Sequence, residues 1–349
     1  MGPPARSIAC AVRDTAIDLE PADGDRSVMG RRYVVLGVGA IGGAIAALLR
    51  LAGANVLGIA RGKQLAALRA APLLLETPSR SERVAIDVVD SPAAARLAEG
   101  DVLVLCTKSQ HAQAALEAAR AAAPPGMPVV CAQNGVATER IASASFESLY
   151  GMVVFVPASH LEPGRVTLHS EPVLGVLDVG VHPSGVDTLC EEVAGDLARA
   201  GFEARAEPEI LRLKYGKLLT NVGNVLQALA GQGALPLAQA VQDEAMAVYR
   251  AARIDFAPMD ELRRRWGHIA ELPVGGAPRG GGSTWQSLAR GTGDIETDFL
   301  NGEIVALAES AGVDAPQNRR LVELARRAAC ERWPPGRMTP AELSVELSA

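Results

Sequence analysis

A chain of 349 residues is too long for one small core and calls for two domains. Apolar residues make up 48% and aromatics only 3%, so the core must come from Ala, Val, Leu and Ile, which favours an α/β or helical protein with close backbone approach. The net charge of −6, with no long basic run and no aromatics interleaved with Lys or Arg, excludes the usual signature of nucleic-acid binding.

The amino-terminal piece Ser7 to Val12 is apolar but short, and Asp14, Asp18, Glu20 and Asp23 follow at once. This is not a secretory signal; residues 1–30 are expected to be a flexible extension, with Met29 as an alternative start. No apolar run has the length of a membrane span, so a cytoplasmic protein without a membrane partner is expected. Cys10, Cys106, Cys131, Cys190 and Cys330 are scattered without Cys-x-x-Cys spacing, and the histidines form no pair one helical turn apart. No disulfide framework and no metal site is expected.

Tyr33 to Leu36 is a β-branched run that leads directly into Gly37-Val38-Gly39-Ala40-Ile41-Gly42 and then into a helix-forming stretch from Gly43 to Arg50. A glycine fingerprint between strand and helix is the signature of a dinucleotide site. Gly37 permits the tight turn, Gly39 lets the backbone reach a pyrophosphate, and Gly42 lets helix and strand pack closely. The amides at the helix start, including those of Ala40 and Ile41, face the phosphate charge. After the next strand, Asn55 to Ala60, an NAD site would place an acid for the ribose hydroxyls. Here stand Arg61 and Lys63, which favours NADP(H) by gripping a 2′-phosphate; the alternative is a surface charge after a strand.

Leu73 to Glu76 and Val84 to Val89 look like paired strands, followed by a short helix over 93–98. Asp101 to Cys106 is a buried strand ending in Thr107-Lys108, and Pro128 to Ala132 another, ending in Gln133-Asn134-Gly135. In doubly wound sheets the ligand lies outside the carboxyl ends of the strands, so Lys108 and Asn134 are candidates for contacts near the nicotinamide ribose. Leu149 to Val156, Arg165 to His169 and Pro172 to Leu177 read as antiparallel additions to that sheet. Ser184 to Gly201 then reads as a helix and Phe202 to Arg205 as a last strand. The composition shifts at Glu207-Pro208-Glu209, which sets the domains at 31–206 and 207–349.

One long helix is expected over 210–231. On it Lys217, Asn221 and Asn224 recur at helical spacing, so that one face carries an ammonium and two amides. Such a stripe suits a carbonyl substrate, the lysine donating a proton and the amides orienting oxygens, although a solvated polar face has the same pattern. Further helices follow over 236–253 and 258–270. The glycine-rich run 275–282 reads equally as a closing flap or a plain linker. Glu296 to Glu309 and 317–332 complete the helices, and Trp333 to Gly336 is expected to end the compact part.

The ordered set of Gly37/Gly39/Gly42, Arg61, Thr107 to Gln110, Gln133 to Gly135, Lys217-x-x-x-Asn221, Ser283-x-x-Gln286 and Glu296-x-Asp298 running into Asn301-Gly302 resembles the ketopantoate reductase family over about residues 33–332. The resemblance implies a Rossmann-type domain followed by an all-helical domain like that of 6-phosphogluconate dehydrogenase. It also implies reduction of 2-dehydropantoate to pantoate at the expense of NADPH. Lys217 matches the general acid and Glu296 an acid beside it that binds the substrate hydroxyl. Asn221, Asn224 and Ser283 match substrate contacts, and Lys108 and Asn134 lie on the cofactor side. The asparagines stand one residue closer together than in the family, and Ser283 one residue further from Glu296, so that normal spacing would select Thr284. These shifts leave open another small 2-oxo acid, a keto ester or an imine as substrate; a non-catalytic NADPH-binding regulator is the reading from another class. An Ala- and Leu-rich helical half is compatible with a homodimer.

Overall fold

The computed structural model describes residues 30–348. The extension expected over residues 1–30 therefore falls, but for its last residue, outside the described part. The chain alternates strand and helix through β1 (Arg32–Leu36), α1 (Ala40–Leu51), β2 (Asn55–Ile59), α2 (Gly62–Ala70), β3 (Leu73–Glu76), β4 (Ser81–Val84), β5 (Asp87–Val89), α3 (Pro92–Ala95), β6 (Asp101–Leu105), α4 (Ser109–Ala122), β7 (Val129–Cys131) and α5 (Ala137–Ala142). β8 (Leu149–Phe155), β9 (Ala158–Ser159), β10 (Arg165–Leu168), β11 (Val176–Val181) and α6 (Thr188–Arg199) complete this half.

Seven strands form one sheet in the order β11-β8-β7-β6-β1-β2-β5. All neighbours are parallel except β11, which runs antiparallel to β8 at the edge. The order reverses at β1, so the carboxyl ends of β1, β2 and β6 open on a common crevice. Continuous apolar runs such as Val102 to Leu105, buried throughout, are what a parallel sheet covered on both faces requires.

The second sheet, β4-β3-β10-β9, departs from expectation. β3 pairs with β4, whereas β5 leaves that hairpin for the edge of the large sheet, and β10 pairs parallel to β3 instead of extending the large sheet. The reason lies in α1, which is sandwiched between the two sheets. A Cβ at Gly42 would fall 2.1 Å from the Gly37 carbonyl oxygen on one side, and one at Gly43 would fall 2.8 Å from Val166 of β10 on the other. Phe202 to Arg205 forms no regular strand and makes only isolated bridges beside β11, which itself begins later than expected, at Val176.

From Ile210 the chain is helical: α7 (Ile210–Asn221), α8 (Asn224–Ala230), α9 (Ala238–Ala251), α10 (Met259–Trp266), α11 (Ser283–Ala289), α12 (Asn301–Ala311), α13 (Pro316–Cys330) and α14 (Pro340–Ser348). The long helix expected over 210–231 is broken at Val222-Gly223, both of which keep near-helical dihedrals. The carbonyl of Val222 takes a hydrogen bond from buried Asn301 Nδ2 (3.0 Å), which is held in turn by Asn318 Oδ1 (3.0 Å). A side-chain amide thus props the break from inside the helical core. Nor does the compact part end at Gly336. Met338 N donates to Leu229 O (3.0 Å), and α14 packs back with Leu343 fully buried.

The helical half docks on the sheet through an apolar patch of Val153, Val176, Ile210, Leu213, Leu262 and Trp266, with Phe155 and Trp266 stacked at 5.3 Å. A buried ion pair fastens the same joint. The ammonium of Lys214 on α7, 2% exposed, pairs with the fully buried Glu139 of α5 and donates to the carbonyls of Gln133 (3.0 Å) and Met152 (3.3 Å). Two carbonyls take its hydrogen bonds and the Glu139 carboxylate balances its charge, conditions under which a buried ammonium is tolerated. Among the described residues no helix is long and apolar enough to cross a membrane.

Candidate active site

Two hollows lie where the halves meet. The first, a groove of about 420 Å³, is floored by Leu36 to Gly39, Ile59 to Arg61 and Cys106 to Lys108. Gly37 has φ +105°, and a Cβ there would fall 2.7 Å from the Thr107 nitrogen; at Gly39 a Cβ would meet nothing within 4 Å. Gly37 is therefore demanded by the fold, and Gly39 leaves its space open toward the groove. α1 begins at Ala40 with no side chain capping its free amides and no acid in its first turn. These amides offer a site for an anion. The buried Thr107 hydroxyl in the same groove has no partner among the described residues. A dinucleotide fits this donor set.

Arg61, exposed at the start of α2, lines the groove. Lys63 also is exposed but does not reach it. Lys108 lines the groove but spends its donors on the helical half: Nζ bonds Ser287 Oγ (3.0 Å) and the Asp294 carboxylate (3.0 Å). Burial pulls its pKa below the usual lysine range, against the pull of Asp294.

The second hollow, a cavity of about 290 Å³, adjoins the fingerprint through Ala40 and Ile41. It gathers Asn134, Phe155, Lys217, Asn221, Asn224 and Ser283, so residues separated by up to 149 positions in the chain share one space. The Lys217, Asn221 and Asn224 stripe survives the helix break because Val222 and Gly223 stay near-helical. Lys217 Nζ donates to Asn221 Oδ1 (2.9 Å) and stands 5.9 Å from the centre of the Phe155 ring. Burial, and then the positive charge of Arg279, push its pKa down to about 8. The Ser283 hydroxyl is buried and unpartnered among the described residues, whereas Thr284 does not line the cavity.

Glu296 is the exception. It does not line the Lys217 cavity; its carboxylate accepts from the Ser109 backbone nitrogen (3.0 Å) and hydroxyl (3.1 Å) at the start of α4. The free donors of a helix amino terminus attract a carboxylate, so Glu296 ties the halves together there instead of standing by the amine.

Three features were not read from the sequence. Arg279 lines the cavity from within the glycine run. That run is no plain linker: a Cβ at Gly280 or Gly281 would fall 2.4 or 2.6 Å from Trp285, and Gly282 N donates to Gln227 Oε1 (3.0 Å). The tryptophan just past the glycines was the available signal. Gln286 of α11 clamps the halves, donating to the Ala158 carbonyl (3.0 Å) and accepting from His160 N (3.2 Å). Lys214 gave no signal, since its partners lie in the other half of the chain.

Residues 33–183 match the ketopantoate reductase PanE/ApbA family, and residues 210–329 match the C-terminal domain of the same family. The chain belongs to the ketopantoate reductase family. It is 29% identical over 307 residues to the 2-dehydropantoate 2-reductase of Archaeoglobus fulgidus, covering 85% of this chain and 97% of that one. The enzyme of the same name from Pyrococcus horikoshii is 27% identical, over 84% and 96% of the two chains. The crystal structure of a PanE/ApbA family ketopantoate reductase from Ralstonia eutropha JMP134 superposes with a TM-score of 0.72 at 28% identity, over 86% and 99%. D-mandelate dehydrogenase, solved with NADH and anilino(oxo)acetate, shares the fold at TM-score 0.73 and 18% identity, over 86% and 99%. The chain is thus an oxidoreductase of this family, with a Rossmann-type sheet and a helical second half.

Proposed function

We propose that the chain reduces 2-dehydropantoate to pantoate with NADPH, Lys217 acting as general acid. The observation that carries this reading is a partly buried ammonium, with pKa pushed down to about 8, set in a cavity that opens on the fingerprint helix. When bound, the nicotinamide supplies a hydride to the carbonyl carbon. The negative charge then gathers on the carbonyl oxygen, and Lys217 neutralises it by giving up a proton. At neutral pH an amine of this pKa is mostly charged, yet it parts with its proton far more readily than an ordinary lysine. Asn221 holds one N–H of Lys217 and so aims the other two. Asn134, Asn224 and the unpartnered Ser283 hydroxyl supply polar groups to orient the substrate. Arg61 at the groove rim favours the 2′-phosphate of NADP(H) over NAD(H).

Names and extents of the relatives support 2-dehydropantoate as the substrate. The closer asparagine spacing across Val222-Gly223 favours, as second reading, another small 2-oxo acid on the same scaffold. NADPH oxidation with 2-dehydropantoate, set beside pyruvate and bulkier 2-oxo acids and repeated with NADH, separates the two. Lys217→Ala should lower kcat by about a hundredfold to ten-thousandfold while NADPH still binds. In the wild type the rate should fall as pH rises past about 8, where Lys217 gives up its proton. Near-normal turnover by the alanine variant would remove Lys217 as the acid.

A further inference from the structure

We propose that Arg279 is the specificity residue for the substrate's acid group, its guanidinium taking the carboxylate of the 2-oxo acid whose carbonyl faces Lys217. This rests on the reading of the cavity as a reductase site.

The ionisable side chains lining the cavity are Lys217, Arg279 and Glu271. With the amine protonated they sum to one positive charge, which a substrate bearing a single carboxylate balances. Arg279 is held rather than free. Its side chain is only 17% exposed, and Nη1 is paired with Glu271. The loop carrying it turns tightly at Gly275 and Gly276 (φ +58° and +81°), is bridged between Val274 and Ala277, and is wedged against Trp285. The buried Nε has no acceptor among the described residues. An N–H in that position is costly to leave unpaired, so it marks the edge of the guanidinium from which an acceptor is missing. A carboxylate is the acceptor whose geometry the planar guanidinium fork matches, since its two oxygens can take two parallel N–H bonds.

The location suits the chemistry. In a 2-oxo acid the carboxylate is bonded to the carbonyl carbon, so the group that holds it must stand near the amine that serves the carbonyl oxygen. Arg279 is close enough for its charge to lower the pKa of Lys217. One cation thus fixes the acid group and makes its neighbour a readier proton donor.

The test compares Arg279→Lys and Arg279→Met with the wild type, using the 2-oxo acid that the wild type reduces best and the neutral methyl ester or amide of that acid. NADPH affinity is measured alongside to show that the groove is intact. In Arg279→Met, KM for the acid should rise about ten- to a hundredfold, with kcat less affected. KM for the neutral analogue should change little, so the preference for acid over analogue collapses. Arg279→Lys should fall between. The basic limb of the rate profile in Arg279→Met should also move to higher pH, because Lys217 loses a neighbouring cation. Parallel changes for acid and neutral analogue, or an unchanged KM for the acid, would overturn the assignment while leaving the reductase reading intact. A wild type that reduces no 2-oxo acid would defeat the reductase reading, and this assignment with it.

Discussion

The groove and the cavity lie side by side, yet they are made of different material. The groove is shaped by main chain: a glycine at positive φ, an open approach at Gly39, and the uncapped amides of α1. The cavity is shaped by side chains that converge from the fingerprint helix, the end of β7, the segment after β8, both halves of the broken helix and the loop before α11. A backbone site depends on a few local spacings and is intolerant of an added atom at Gly37 and Gly42. A side-chain site depends on how distant elements are docked, and is exposed to every change that moves them.

The first prediction attacks the docking. Lys214→Met removes the cation from a pocket where Glu139 is fully buried, leaving a carboxylate with no compensating charge. Breaking a buried pair this way costs about 3 to 5 kcal/mol. Urea melts should show that loss, and the double variant with Glu139→Gln should recover part of it. If the cavity is the docking-dependent site, the surviving folded Lys214→Met protein should lose 2-oxo acid turnover before it loses NADPH binding. Simultaneous loss of both would break the distinction.

Gly42→Ala attacks the groove instead. The new methyl would stand 2.1 Å from the Gly37 carbonyl oxygen, a backbone atom that cannot swing aside. Either α1 shifts away from β1 or the turn opens, at a cost of about 1 to 3 kcal/mol by analogy with overpacked cores. The expected outcome is the reverse of the first: NADPH affinity measured by fluorescence titration falls first, while the Lys217 cavity stays formed. Wild-type affinity in this variant would mean that the groove is less tightly specified than its glycines indicate.

The same division explains how much of the molecule was legible in the sequence. The turn at Gly37 and the close helix–strand packing at Gly42 were legible because their demands are local and fall within six residues. The Lys217 stripe reads correctly for a similar reason, since a break that keeps near-helical dihedrals does not rotate one half against the other. The stretch Arg165 to His169 reads as a strand, and Arg165–Leu168 is one, but its sequence carries no information about which sheet receives it; in the fold Val166 packs on Gly43 of α1. Glu296 was assigned to the amine by its place in an ordered motif. The face to which a loop acid turns depends on which donors lie nearest, and here they are those of Ser109. Lys214 looked like any helical lysine because its three partners are contributed by residues 133, 139 and 152.

The smallest expected effect lies at an exposed side chain on the rim of the groove. Arg61 is exposed at the rim, where water screens its charge, so under the proposed NADPH reading it would give a 2′-phosphate one charge-assisted contact rather than a buried clamp. Arg61→Ala should therefore weaken NADPH binding by about tenfold, equivalent to about 1.4 kcal/mol, and leave NADH binding unchanged. Raised salt should narrow the difference between wild type and variant, because an exposed charge is screened within about 10 Å at 0.1 M. Equal losses for NADPH and NADH would show that Arg61 packs on the adenine and does not read the phosphate, and the cofactor preference would then have to come from the backbone that shapes the rest of the groove.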